Sequence, residues 1–435
     1  MTHFTSSLEM HMNFGSEALS RPLKRRSFIA SMLATGTLTL TSCGTDDPRA
    51  SIRFNQSKPE VVPYFRDLLS QFNSSQRTVN ATHEVTAGLS AAFARNDPPD
   101  LGCLNYNFEM ARFQERGALS DLSDLPQQKM NAPFIKQLLD LYPDYPGRTS
   151  VLPYSMMGAS VLYNKDIFEK HSLSIPTRYS ELLDLCGELS DLGITPIYST
   201  FKDAWTVSQG LADYCVGGAI EINQHFANLR ELGSDFTPDS AVTFSKAFTD
   251  PLLRMQELAK FSNKDAANRG YGDGNLAFAN GQAAMYLQGP WALPEIAKTN
   301  PDANIGTFPL PMTEDPEDLK IRVNLDLALW IPEQSDHKAE ARELLAFLCQ
   351  PELQDAYNES ALGFGVRSDS PPTKDPRLQQ MQPYIDNGRI YQGVSTAIPR
   401  TVPFENYMQG LVTGGSVEQT LATLDADWAR LAQRS

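Results

Sequence analysis

The sequence has little of what catalytic or nucleic-acid-handling chemistry usually needs. Among 435 residues there are six histidines and five cysteines. His83, His171, His225 and His337 fall in separate expected elements, and the cysteines match no metal-ligand spacing. No G-x-S-x-G, H-E-x-x-H or P-loop occurs in the chain. The hydrolase and NTPase classes that depend on those motifs are thereby set aside. Positive charge is short: 37 Lys and Arg against 52 Asp and Glu leave a net charge of −15. Nucleic acid and an anionic membrane surface are therefore not the main partners. Acidic residues are so abundant that some carboxylate pair must lie close, so their number alone does not point to a glycosidase. Cys103, Cys186, Cys215 and Cys349 make no dense disulfide framework and read as buried small apolar residues, with a Cys186–Cys215 bridge left open. No metal or cofactor is expected.

What is present begins at the N-terminus. Residues 21–43 read RPLKRRSFIASMLATGTLTLTSC. Arg21, Lys24, Arg25 and Arg26 form a basic region, and Phe28 to Leu40 a weakly apolar stretch too short to span and stay in a bilayer. Leu40-Thr41-Ser42-Cys43 resembles the bacterial lipoprotein signal, in which small residues admit the peptidase and the cysteine thiol takes the lipid. The expectation is cleavage before Cys43, lipidation of Cys43, and residence on the outer face of the cytoplasmic membrane. Arg25-Arg26-Ser27-Phe28-Ile29 also resembles a twin-arginine signal, with general secretion as the other route. Residues 1–42 are then signal and 43–50 a polar tether. The segment removed holds four Lys/Arg and two Glu, so the remaining chain sits near −17.

The rest exceeds one hydrophobic core and predicts two domains. Ser51–Asn55 is an expected strand, Val61–Phe72 a helix with Val61, Phe65, Leu68, Leu69 and Phe72 on one face, and Thr78–Thr86 a strand. Leu101–Leu104, Gly158–Tyr163 and Pro196–Ser199 are further strands; Phe108–Gly117 and Tyr179–Leu192 are helices. Strands alternating with helices predict an α/β fold with mostly parallel sheets. Ser416 and Gln419 form a capping-box pattern ahead of a final helix with Leu421, Leu424, Trp428 and Leu431 along its apolar stripe.

The stretch Phe278-Ala-Asn-Gly-Gln-Ala-Ala-Met-Tyr-Leu-Gln-Gly-Pro-Trp291 resembles the FxxGxxAMxxxGxW signature of the extracellular solute-binding proteins of family 1, the group that includes maltose-binding protein. Its residue types predict a helix closed at Phe278 and capped by Gly281, a buried strand over Ala283–Leu287, and a Gly289-Pro290 turn presenting Trp291 at the strand's carboxyl end. Pro98-Pro99-Asp100-Leu101, Leu162-Tyr163-Asn164-Lys165-Asp166-Ile167-Phe168, Ile175-Pro176-Thr177 with Glu181-Leu182, and Phe347 to Tyr357 resemble other family elements in the family's order. The resemblance covers residues 51–435. It implies a two-lobed periplasmic-binding-protein fold of class II, with 51–156 plus 326–366 in the N-terminal lobe and 157–325 plus 367–435 in the C-terminal lobe. It implies a monomeric receptor that closes by a hinge on a carbohydrate, an oligosaccharide in the leading reading, and delivers it to the permease subunits of an ABC importer without acting on it. A polyamine or glycerol-phosphate ligand is the alternative, and a secreted glycosidase a remoter one.

A sugar offers hydroxyl edges and apolar C–H faces, so its site needs aromatic platforms with carboxylates and amides around them. Trp291 matches the platform position of the family motif. Trp205 and Asp203 follow the expected strand ending at Ser199; Asn105, Tyr106 and Asn107 follow the Leu101 strand; Asn55 and Gln56 follow the first. Ligands bind at such carboxyl ends of open α/β sheets. Asp326 enters the strand that returns to the first lobe and is a candidate hydroxyl acceptor. Met156 and Met157 stand where maltodextrin binders carry a carboxylate, which argues against a maltose-type ligand.

Overall fold

The structure, a computed structural model, describes residues 47–86 and 88–433. Cys43, the signal segment and the start of the tether lie outside the described residues. The strands among the described residues are β1 (Ala50–Asn55), β2 (Val79–Glu84), β3 (Leu101–Leu104), β4 (Leu152–Ala159), β5 (Val161–Asn164), β6 (Thr195–Tyr198), β7 (Ala283–Tyr286), β8 (Ile305–Phe308), β9 (Ile321–Trp330) and β10 (Ile390–Tyr391). They fall into two sheets, and the sheets define two lobes. The first has the order β10-β9-β3-β1-β2, with β4 also paired to β9; the second has the order β6-β7-β5-β8.

In the first sheet β1 lies parallel between β2 and β3, and β10 lies parallel to β9, while β9 runs antiparallel to β3 and β4. In the second, β6 and β7 are parallel but β5 is antiparallel to both β7 and β8. Among the described residues three of the five strand pairs in the first sheet are parallel and one of the three in the second, so both sheets are mixed. The apolar run Gly158–Tyr163, expected as one strand, is divided. β4 closes in the first sheet at Ala159, Ser160 alone intervenes, and β5 opens in the second sheet at Val161. Both halves are buried, so the run shows no polar break where the chain changes sheet.

Local sequence rules account for the rest. Residues 62–75 form the amphipathic helix with Phe65, Leu68, Leu69 and Phe72 buried, and Phe54 stacks on Phe65 at 5.2 Å between centroids. The expected helix end near Phe278 is a helix over Tyr271–Ala279, and Gly281 follows in the left-handed region at φ +67°. All four residues of β7 are buried. The final helix is Val417–Ala432, with Ser416 Oγ accepting from the Gln419 N–H at 3.3 Å, one half of the capping pattern. Cys103, Cys186, Cys215 and Cys349 are buried free thiols, so Cys186 and Cys215 are not bridged. Among the described residues no helix is long and apolar enough to cross a membrane.

One buried base carries a measurable consequence. His225 is 6% exposed, ringed by Phe226, Phe244 and Phe248, with Nε2 lacking a partner. Burial pushes its pKa down from 6.5 to about 4. Between those values the unfolded chain takes up a proton that the folded chain refuses, so stability is fullest above pH 6.5 and falls as pH drops toward about 4. The expected loss across that window is on the order of 3 kcal/mol. Denaturant unfolding of His225→Leu beside the parent should show a pH slope shallower by that amount; identical slopes would contradict this account.

Candidate functional site

The carboxyl ends of the strands gather two groups of side chains. The second-lobe group is aromatic. β7 is followed by Gln288, Gly289 and a single 3-10 turn over Pro290–Ala292 that holds Trp291 partly exposed. The indole lies directly over Gly289, where a Cβ would come within 2.0 Å of the ring. Trp291 Nε1 donates to Gln288 Oε1 at 3.4 Å, and Gln288 Nε2 donates to the Thr206 carbonyl at 3.2 Å. Tyr271 joins the two tryptophans: its ring centroid is 4.9 Å from that of Trp205, and its hydroxyl donates to the Trp291 carbonyl at 3.2 Å. Asp203 Oδ2 accepts the Tyr271 N–H at 2.7 Å and so fixes where that ring begins.

The first-lobe group is polar. Asp326, on β9, pairs with Lys58 Nζ at 2.6 Å and accepts from Asn105 Nδ2 at 3.2 Å. Both charged side chains are mostly shielded, at 19% exposure for Lys58 and 14% for Asp326. Gln56 arranges the loop that carries Lys58: its Oε1 accepts the Lys58 N–H at 2.9 Å and its Nε2 donates to the Cys103 carbonyl at 2.5 Å. Asn55 is fully buried, with Oδ1 accepting the Thr86 N–H at 3.0 Å and Nδ2 without a partner.

β9 links the two groups. Its alternation sets Arg322, Asn324 and Asp326 on one face. Asn324, with its amide oxygen toward Arg322, accepts from Nη2 at 2.9 Å. Arg322 Nε donates to Asp213 Oδ2 at 2.8 Å, and its guanidinium carbon sits 5.9 Å from the Trp291 ring centroid.

Of the residues singled out from sequence, Trp291, Trp205 and Asp203 come together in the second lobe, and Asn105 and Asp326 in the first. Gln56 and Asn55 order the first-lobe loops. Tyr106 and Asn107 stand elsewhere. Tyr106 is 2% exposed, donates to Gln114 Oε1 at 3.0 Å and meets Tyr142 edge-on. Asn107 caps the helix Phe108–Glu115 by accepting the Met110 N–H at 3.1 Å. Lys58, Tyr271 and Arg322 were not singled out. The R-x-N-x-D alternation in β9 could have flagged Arg322; nothing local marks Lys58 or Tyr271. A separate groove of about 430 Å³ runs between the helix Val62–Ser75 and β2, lined by Arg49, Arg66, Asn73, Asn80 and His83 among others. It has no aromatic platform, and Arg49 there is already paired with Asp47 at 2.6 Å. Among the described residues no His, Cys, Asp and Glu cluster is placed to hold a metal ion.

Two mixed sheets joined by a one-residue crossing, with aromatic faces on one lobe and neutralised polar groups on the other, define a two-lobed ligand receptor. Residues 60–355 match the bacterial extracellular solute-binding protein family, and the chain belongs to that family. It is 26% identical over 210 residues to a multiple sugar-binding protein of Streptococcus mutans, covering 47% of this chain and 48% of that one. The match thus spans about half the length of that relative. It is 22% identical over 391 residues to an uncharacterized ABC transporter extracellular-binding protein of Pyrococcus horikoshii, covering 82% and 83%. The solved apo form of RafE from Streptococcus pneumoniae superposes with a TM-score of 0.74 at 20% identity, covering 88% of this chain and 98% of that one. RafE in complex with raffinose superposes at 0.70, covering 88% and 100%.

The Lys58–Asp326 contact has a clear energetic consequence. Lys58→Met leaves a shielded carboxylate without its cation and should cost about 1–3 kcal/mol. Removing both charges in Lys58→Met/Asp326→Leu should return most of that loss. Denaturant unfolding of the two variants measures it, and an equal or larger loss in the double variant would refute the pairing.

Proposed function

We propose that this chain is the extracellular substrate-binding component of an ABC importer, capturing an uncharged oligosaccharide by hinge closure and delivering it to the membrane permease. The observation that carries the reading is the division of labour around β9. Trp205, Tyr271 and Trp291 offer faces for apolar C–H surfaces; Asn105, Asn324 and the Lys58–Asp326 pair offer hydroxyl partners. Family membership and the likeness to RafE, solved with raffinose, support the same ligand class.

Charge bookkeeping separates this reading from its rivals. A polyamine needs free carboxylates, yet Asp326 is paired with Lys58, Asp213 with Arg322, and Asp203 accepts a backbone N–H. A glycerol phosphate needs free cations, and Lys58 and Arg322 are the same two groups already engaged. A glycosidase needs two carboxyl groups free to face one glycosidic bond, whereas Asp326 and Asp213 are engaged by cations and Asp203 by a backbone N–H. The chain therefore binds and releases without chemistry on the ligand. The lobe divisions at 156/157, 325/326 and 366/367 belong to this proposal; Met156 and Leu325 lie side by side in the first sheet, a few residues before the chain changes sheet at Ser160. Lipid attachment at Cys43 would hold the receptor beside its permease and raise its effective concentration there.

The ligand shifts the population toward the closed form because only that form lets both lobes touch it. Raffinose and stachyose should raise the melting temperature and change tryptophan emission with saturation. Spermidine and glycerol 3-phosphate should do neither, and oligosaccharide affinity should be nearly independent of salt. Trp291→Ala should weaken binding by on the order of 1 kcal/mol or more. Saturable binding of a polyamine, or release of sugar products on incubation, would overturn the proposal.

A further inference from the structure

The crossing between the sheets is built around one buried ion pair. Arg322 is opposite Ala159, the last residue of β4, and opposite Tyr391 of β10. Ser160 follows, and the chain is then in the second sheet. At this point Arg322 is 1% exposed and Asp213 fully buried. Asp213 belongs to the helix Asp213–Ala219, and besides Arg322 it accepts the Ser395 N–H and hydroxyl, each at 2.8 Å. Gly393 closes the space: a Cβ there would meet Asp213 Oδ2 at 2.1 Å and Arg322 Nε at 2.6 Å. The Tyr214 hydroxyl lies within reach of the Ser160 carbonyl at 3.4 Å and of the Gln288 carbonyl at 3.2 Å. Gln288 in turn holds the Trp291 indole nitrogen.

A buried ion pair is a weak source of stability, because an apolar pair of the same shape usually does as well. Its value lies in geometry. Asp213 and Asn324 hold the guanidinium through Nε and Nη2, and its carbon lies over the Trp291 ring at 5.9 Å from the centroid. A cation over an indole face at this distance is attracted by the ring quadrupole. The indole nitrogen also donates to Gln288 Oε1 at 3.4 Å, so two contacts act on the ring.

We infer that Arg322 is a positioning residue: it holds the Trp291 platform in a fixed orientation relative to the crossing between the lobes, so that the aromatic face and the hinge move as one unit. This rests on the proposed receptor function, with Trp291 as a ligand platform. Arg322 need not touch the ligand. Its contribution is to spare the ligand the entropy of ordering the indole and to tie that order to the strand about which closure occurs.

The test removes both charges together, because Arg322→Met alone would strand Asp213 and risk misfolding. Asp213→Asn/Arg322→Gln keeps hydrogen-bonding groups of similar size in the same space. Each protein is prepared with and without Trp291→Phe, so that the difference spectrum isolates Trp291 from Trp205, Trp330 and Trp428. The double variant is expected to retain a cooperative melt. Its Trp291 emission maximum should shift in the absence of any sugar, and its raffinose affinity should fall at least ten-fold. Trp291→Ala should then cost less in the double-variant background than in the parent, the non-additivity that marks coupled residues. An unshifted Trp291 emission, or fully additive affinity losses, would overturn the inference. If the parent itself binds neither raffinose nor stachyose, the receptor reading fails. The positioning role is then decided by the emission shift alone, which needs no ligand.

Discussion

Everything in the site hangs on the demand that one chain pass between two sheets without opening either. The β4–β9 ribbon meets that demand by staying in the first sheet up to Ala159 and changing sheet across Ser160. Such a crossing exposes backbone and side-chain polar groups inside a low-dielectric junction, where each must find a partner. The Arg322–Asp213 pair, Ser395 and the Tyr214 hydroxyl supply partners there, and Ser160 Oγ is left buried without one. Because β9 pairs with β4 up to the crossing and carries Arg322, Asn324 and Asp326 on one face, the strand beside the crossing also lines the candidate site. The change of sheet and the candidate binding surface thus meet along one strand pair.

The polar half of the site follows a second logic. Its charges are arranged to cancel within the protein. Pairing offsets the desolvation of these shielded groups and leaves hydroxyl-bonding capacity, while a paired charge presents a weaker field to a charged solute than a lone one. In the proposed receptor such cancellation would act as exclusion, because Lys58, Asp326, Arg322 and Asp213 already have one another as counter-charges. A neutral sugar loses only hydrogen bonds to water, which amides and paired charges can replace.

Much of this was legible in the sequence, and the limits have physical causes. The helix end, Gly281, the buried strand and Trp291 follow from capping, chirality and burial rules that act within a few residues, so they read correctly. The amphipathic helix and the first strands were legible for the same reason. The change of sheet at Ser160 was not, because a buried run looks alike in either sheet. Tyr106 and Asn107 sit at the right end of β3, yet whether a side chain there turns to the cleft, the core or the helix start depends on neighbours such as Gln114 and Tyr142 that arrive from elsewhere. Lys58 was missed because its partner Asp326 is 268 positions away, and Tyr271 because only the folded loops bring it to Trp205. Pairings made across long sequence separation leave no local periodicity to read.

The cysteines have a consequence for the life of the molecule outside the cell. Attack by an oxidant requires a thiolate that is both formed and reachable. Burial pushes Cys186 and Cys349 up to about 12, and raises Cys103 and Cys215 further. At neutral pH the folded chain therefore presents almost no reactive sulfur among these four, although nothing bridges them. The unfolded chain has no such shelter, and its thiols can form wrong disulfides at ordinary rates. Redox durability in this protein is a property of the folded core and not of any crosslink, which makes the order of events decisive: a chain that completes its core before it meets the oxidising side keeps its sulfur inert, and one that meets it unfolded is open to trapping.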